Sequence, residues 1–76
     1  MNLPTREFVK QAKAYYKPDS RIELISMDDP QAPPAGTLGT VTHVDDFGDI
    51  HMRWDNGSLL ALLPDKDEFK VISRPE

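Results

Sequence analysis

A small, mainly β fold with one amphipathic helix at its amino end is what this sequence predicts, on three observations. Between Gly36 and Gly57, apolar and polar residues alternate in two runs parted by a glycine-bearing loop, the period of strands with one buried face. Two shorter apolar runs follow, Ser58 to Leu63 and Phe69 to Ile72, with turn residues between them and no crossover helix. Ahead of them, residues 4–17 carry a helical rather than a two-residue period.

Seventy-six residues make one domain, 1–76, near the lower limit at which an apolar core alone holds a chain. With no cysteine there is neither a disulfide framework nor a thiolate metal site, and a reducing cytoplasm is the expected compartment. The first residues lack the apolar stretch of a secretion signal, and no run approaches the ~20 apolar residues of a membrane span. The net charge of −4 argues against a general nucleic-acid binder. That total conceals a split. Residues 1–25 hold five Lys or Arg against three acids, and residues 26–76 hold four against ten.

The helix is expected over 4–17, with Pro4 and Thr5 at its start, Glu7 at the positive end of its dipole and Lys17-Pro18 as its stop. Phe8, Val9, Ala12, Tyr15 and Tyr16 share one side; Arg6, Lys10, Lys13 and Lys17 form a basic stripe on another. Three turns do not hold alone, so the apolar side must dock, and Phe8, Ala12 and Tyr15 are expected near Leu59 to Leu63. Asp19 and Ser20 turn the chain into a first strand, Arg21 to Met27, with Ile22 and Leu24 inward. Three prolines between Asp28 and Gly36 then exclude helix and central strand, leaving a stiffened loop.

Leu38 to Val44 is the second strand. Val41 and Val44 stand three apart, which calls for a bulge between them. Asp45 to Asp49 is a turn with Phe47 at its tip; the economical reading folds that ring back as a lid on the core, and the alternative leaves it exposed as an anchor. Ile50, Met52 and Trp54 put the third strand's apolar face inward, with Trp54 the centre of the core. Asn56-Gly57 suits a two-residue type I′ turn. Ser58 to Leu63 is expected as a fourth strand, Pro64 to Glu68 as a single turn, Phe69 to Ile72 as a fifth strand, and 73–76 as a tail.

Strand, long loop, strand, short loop, strand, tight hairpin, strand, short turn, strand is the order of a small five-stranded antiparallel SH3-like barrel, here over residues 20–72. The wording of RIELISMDD (Arg21 to Asp29), PAGTLGTVTHVDD (Pro34 to Asp46), Gly48, IHMRWDNGSLLALL (Ile50 to Leu63) and DEFKVI (Asp67 to Ile72) resembles the bacterial family catalogued as domain of unknown function 4314. The likeness spans about two-thirds of the chain and leaves the helix outside. It implies the small barrel and a setting in phages, conjugative elements and their bacterial hosts. It brings no activity, cofactor or catalytic residue. Trp54-Asp55-Asn56-Gly57 is also similar to hairpins of small barrels that read peptides, at the level of fold only.

No catalytic constellation stands out. No serine has a nucleophile-elbow context, and Gly36 to Gly39 lacks the Lys and following helix of a phosphate loop. His43 and His51 could meet across paired strands near Asp45 or Asp49, but their spacing does not select a metal site, and His51 reads as an ordinary outer-face histidine. Asp28 and Asp29 lack the spaced oxygens of a calcium loop. The expectation is a non-catalytic interaction module without cofactor or metal. It binds an unknown protein through an acidic surface, which could also mimic nucleic acid, with Phe47, Asp28, Asp29, Asp45, Asp46, His51 and Arg53 as the contact residues. The alternative is a nucleic-acid accessory that uses Arg6, Lys10, Lys13 and Lys17. Whether that stripe pairs with acids of the barrel separates the two.

Overall fold

The computed structural model describes residues 5–75. The elements are α1 (Arg6–Tyr15), β1 (Arg21–Ser26), β2 (Leu38–Val44), β3 (Ile50–Trp54) and β4 (Glu68–Ser73). Thr5 caps α1: its Oγ1 accepts from Phe8 N at 3.0 Å, satisfying an amide that the first turn leaves without a partner. Pro4 lies outside the described residues. The helix stops two residues before the expected Lys17, at a cap on Tyr16 whose N–H returns to Ala12 O. Asp19 then takes φ 75°, a left-handed value that aspartate tolerates in turns.

The four strands form an open antiparallel sheet in the order β3-β2-β1-β4. Its inner face buries Ile22, Leu24, Val41, Val44, Ile50, Met52 and Trp54, and Leu62 and Ala12 close over them from outside the sheet. The expected bulge is present: Val41 pairs with Met52 and His43 with His51, so Thr42 is the extra residue. Two further extras interrupt the β1–β4 pairing, Ile25 on β1 and Ile72 on β4, and both side chains are exposed.

The expected fifth strand, and with it closure of the barrel, is where structure and sequence reading part. Ser58 to Leu63 is not a strand; it touches β3 through one bridge, Ile50 with Leu62. The cause is local. Trp54 N donates to Ser58 O, and Ile50 and Leu62 exchange both amide bonds, a register that would set Met52 opposite Leu60. The Leu60 carbonyl instead accepts from the Trp54 indole Nε1 at 2.8 Å, so the middle rung of the ladder is lost to a side chain.

The two turns flanking β3 share one backbone frame. Asp45 N donates to Asp49 O and Gly48 N to Asp45 O, each at 3.0 Å; one hairpin later Trp54 N donates to Ser58 O at 3.0 Å and Gly57 N to Trp54 O at 2.9 Å. Gly48 and Gly57 sit at φ 86° and 93°. Asp19 is the only described non-glycine with positive φ, so Asn56 is not in the left-handed region and the expected type I′ turn does not form. Each connection is a three-residue loop closed by a left-handed glycine, the next most common hairpin solution.

Helix α1 lies across β2, and its Ala12 joins Leu62 of the Ser58 to Leu63 segment in the core. Ala12 is its buried residue, Val9 and Tyr16 are half-buried, and Phe8 and Tyr15, expected to dock, remain 42% and 48% exposed. A ten-residue helix offers its sheet one small residue at closest approach, and the rings flank that contact. Phe8 lies against Gly48, Tyr16 meets Phe69 edge-on, and Arg74 stacks on the Tyr15 ring while its Nε donates to the Tyr15 carbonyl.

Candidate functional site

The loop between β2 and β3 is built on one carboxylate. Asp45 Oδ1 accepts from Phe47 N at 2.9 Å and Asp49 N at 3.0 Å, and Oδ2 accepts from His51 Nε2 at 2.8 Å. A carboxylate only accepts, so His51 carries its proton on Nε2 in this arrangement. Burial pushes the Asp45 carboxyl up, but the His51 hydrogen bond and the two backbone amides outweigh it and hold the group below its ordinary value. Burial and the Asp45 charge together raise Asp49. Three residues, Phe47, Asp49 and His51, are thereby fixed by a side chain that was expected among the contact residues.

Phe47 rides on this frame. The residue is 63% exposed, so it is no lid on the core, and the expectation that it folds back is corrected. The reason lies in the turn: Phe47 occupies the third position of the frame, the one Asn56 fills in the second turn. There Asn56 Oδ1 accepts from Ser58 N, so the position points a side chain away from the core and serves the turn when polar.

Asp46, the neighbour of Phe47, reaches the helix. Lys13 Nζ stands 2.7 Å from its Oδ1, joining residues 33 apart in sequence. Arg6, Val9, Lys10, Lys13 and Asp46 line one open groove. The basic stripe thus divides: Lys13 is paired with a sheet-side acid, and Arg6, Lys10 and Lys17 make no ion pair among the described residues. Lys17 falls beyond the helix end and outside the groove.

His43 and His51 do meet across β2 and β3, stacked with centroids 4.3 Å apart and planes 7° from parallel. The Thr42 bulge places them so; Thr42 Oγ1 lies 3.2 Å from both His43 Nδ1 and the His51 carbonyl. Rings laid face to face do not aim their nitrogens at a common point. Among the described residues no group of three or more His, Cys, Asp or Glu could hold a metal ion.

Arg53 is exposed, two positions from His51 and opposite Thr40. Asp28 and Asp29 are elsewhere, beside Leu60, Ala61, Lys66 and Asp67 at another cavity, and Asp29 Oδ1 caps its own turn by accepting from Gln31 N. Of the seven expected contact residues, the fold therefore gathers Asp45, Asp46, Phe47 and His51 at one loop, with Arg53 farther along the same strand and the Asp28-Asp29 pair apart. Sequence reading missed Val9 in the groove and the Lys13 to Asp46 link; nothing in the sequence marks a contact between positions so far apart. Among the described residues no helix is long and apolar enough to cross a membrane.

No curated protein and no solved structure matches the chain. A family model, described as Domain of unknown function (DUF4314), matches residues 5–72, which takes the likeness past the sheet to include α1, and the chain belongs to that family.

Proposed function

We propose that the chain is a non-catalytic interaction module that holds a protein partner through Phe47. One observation carries the reading. In two turns of the same backbone frame, one presents a polar residue, Asn56, whose side chain caps the Ser58 amide, and the other presents an aromatic residue, Phe47, 63% exposed, that the turn has no use for. A rigid aromatic on a preordered loop is the usual anchor of a protein interface, because little conformational entropy remains to be lost on binding. His51 and the loop carboxylates position it, and Arg53 extends the surface along β3. Asp28 and Asp29 form a separate acidic patch outside this anchor.

The finer fold reading belongs to the same proposal: an SH3-like barrel whose fourth strand, Ser58 to Leu63, keeps its register beside β3 while the Trp54 indole holds its middle rung. The order of connections and the place of β1 between β2 and β4 support it. The resemblance to mobile-element proteins supports a bacterial cytoplasmic setting, in a phage, a conjugative element or a host. Chemical crosslinking and mass spectrometry in such a host test the anchor. A protein captured by the wild type and lost with Phe47→Asn is expected, and identical captures by both would remove the reading.

A further inference from the structure

The groove beside the anchor specifies what sort of partner it is. We infer that Arg6, Lys10 and Lys13 receive an acidic, extended segment of the protein that takes Phe47, an inference that rests on the anchor reading and adds the partner's charge. Three cations and one carboxylate line the groove, and that carboxylate, Asp46, is already bound to Lys13. Arg6 and Lys10 make no ion pair among the described residues. Of the other two acids at the loop, Asp45 is turned inward on His51 and two backbone amides, and Asp49 is half-buried and outside the groove lining. The charge that the groove lining offers to an incoming chain is therefore positive, although the whole protein carries −4.

Spacing favours a peptide. Arg6 and Lys10 are one turn apart on α1, about 6 Å along its axis, close to the ~6.6 Å between alternate side chains of an extended strand. Carboxylates at alternate positions can face both cations, and the apolar body of Val9 lies between them for the residue's backbone to cross. An apolar residue beyond the acids then reaches Phe47, next in the chain to the groove-lining Asp46. A phosphate backbone would meet the same cations, but the acidic remainder of the molecule opposes a long polyanion. Among the described residues the outer sheet face carries no exposed Phe, Tyr or Trp for single strands to stack on.

The probe is a fluorescein-labelled peptide with glutamates at two alternate positions followed by leucine and phenylalanine, titrated by anisotropy at low salt beside a single-stranded oligothymidylate of the same charge. Salt-sensitive peptide binding is expected, weakened at least about tenfold by the double variant Arg6→Glu/Lys10→Glu, and tighter than oligothymidylate binding. Lys10→Gln should give a smaller loss, and tryptophan fluorescence of each variant reports an intact core. No peptide binding to the wild type, or equal binding by the double variant, overturns the inference. Tighter oligothymidylate binding that the double variant abolishes assigns the groove to nucleic acid and overturns it too. Peptide binding lost in Phe47→Asn but untouched by charge reversal keeps the anchor and removes the acidic partner; the reverse pattern removes the anchor alone.

Discussion

The turns on either side of β3 are the same object made twice. Asp46-Phe47-Gly48 and Asp55-Asn56-Gly57 share the pair of backbone bonds, the left-handed glycine and an aspartate in the first loop position. Each aspartate ties the turn to a distant cation: Asp46 to Lys13 on the helix, and Asp55 to Arg21 on β1 through two bonds of 2.9 and 2.7 Å. They diverge before and after that aspartate. The residue ahead of it is Trp54 in one and Asp45 in the other, a side chain committed to the core against one that wires its own loop. The residue after it is Asn56 in one and Phe47 in the other. Folding constrains the glycine and the bonds; the middle loop position is left to other uses, and only the first turn puts a ring there.

The largest contrast should appear at the residue ahead of the aspartate. Trp54→Ala removes the 1%-exposed centre of the core and frees the Leu60 carbonyl, and should cost about 3–5 kcal/mol. Proteolysis should then begin in Ser58 to Leu63, which that indole pins. A Trp54→Ala protein melting near wild type would break the comparison at its root. Asp45→Ala removes two bonds within its loop and one to His51 on β3, and should cost less, about 1–3 kcal/mol.

The glycines come next. Gly57→Ala meets no neighbouring atom and should cost the left-handed strain alone, about 1–2 kcal/mol. A methyl on Gly48 would stand 2.6 Å from Cε2 of Phe8, so Gly48→Ala should cost more and loosen α1 as well. In a Phe8→Ala background the excess should vanish, which a double-mutant cycle by denaturant melts reads directly. Equal costs at the two glycines would mean that the exposed Phe8 ring simply swings aside.

Much of this was legible in the sequence, and the boundary is physical. Alternation located β1, β2 and β3 because each has one wet face, and the odd spacing of Val41 and Val44 gave away the Thr42 bulge. Ser58 to Leu63 has no alternation, so its composition said apolar and nothing about register; Leu62 is buried while Leu59 is 73% exposed. Asn-Gly misled because a dipeptide does not say whether the preceding Asp55 belongs to the strand or the turn. At the site, residue types marked out Phe47 and the basic stripe, but the ring's exposure and the Lys13 to Asp46 bond depend on where a helix lands 33 residues away.

Acid should separate the turns more gently. Asp45 and Asp55 are both held below the ordinary carboxyl value, Asp55 by its hydrogen bond to Arg21. A carboxyl whose folded value is depressed adds stability above its unfolded value, ~3.9, and loses it as pH falls through the folded one. The stability gap between wild type and Asp45→Asn should therefore close as pH falls below about 4. The Asp55→Asn gap should be smaller and shrink with added salt, since its partner is a solvated guanidinium. Asp49 has the opposite sign: its raised value penalises the charged form, so Asp49→Asn should stabilise near neutral pH and match wild type in acid.

Smallest of all should be the exchange that makes the first turn a copy of the second. Phe47→Asn should change stability by about 0.5 kcal/mol or less, because the frame accepts asparagine there already. A melting curve that drops steeply would show the ring to be part of the fold after all.

The extra residue in β4 has a consequence for the molecule in a crowded solution. Among the described residues, β4 is a sheet edge with no strand beyond it, and such an edge is a template on which another copy could grow. Ile72 interrupts the regular repeat of amides and carbonyls there, and Lys70, two residues earlier, brings its charge to mid-strand. A second copy aligning edge to edge meets a kinked row and, in the in-register antiparallel match about Lys70, a like charge opposite its own. The β4 edge is therefore poor seed material for fibrils despite the exposed Ile72 on it and Ile25 on the neighbouring β1.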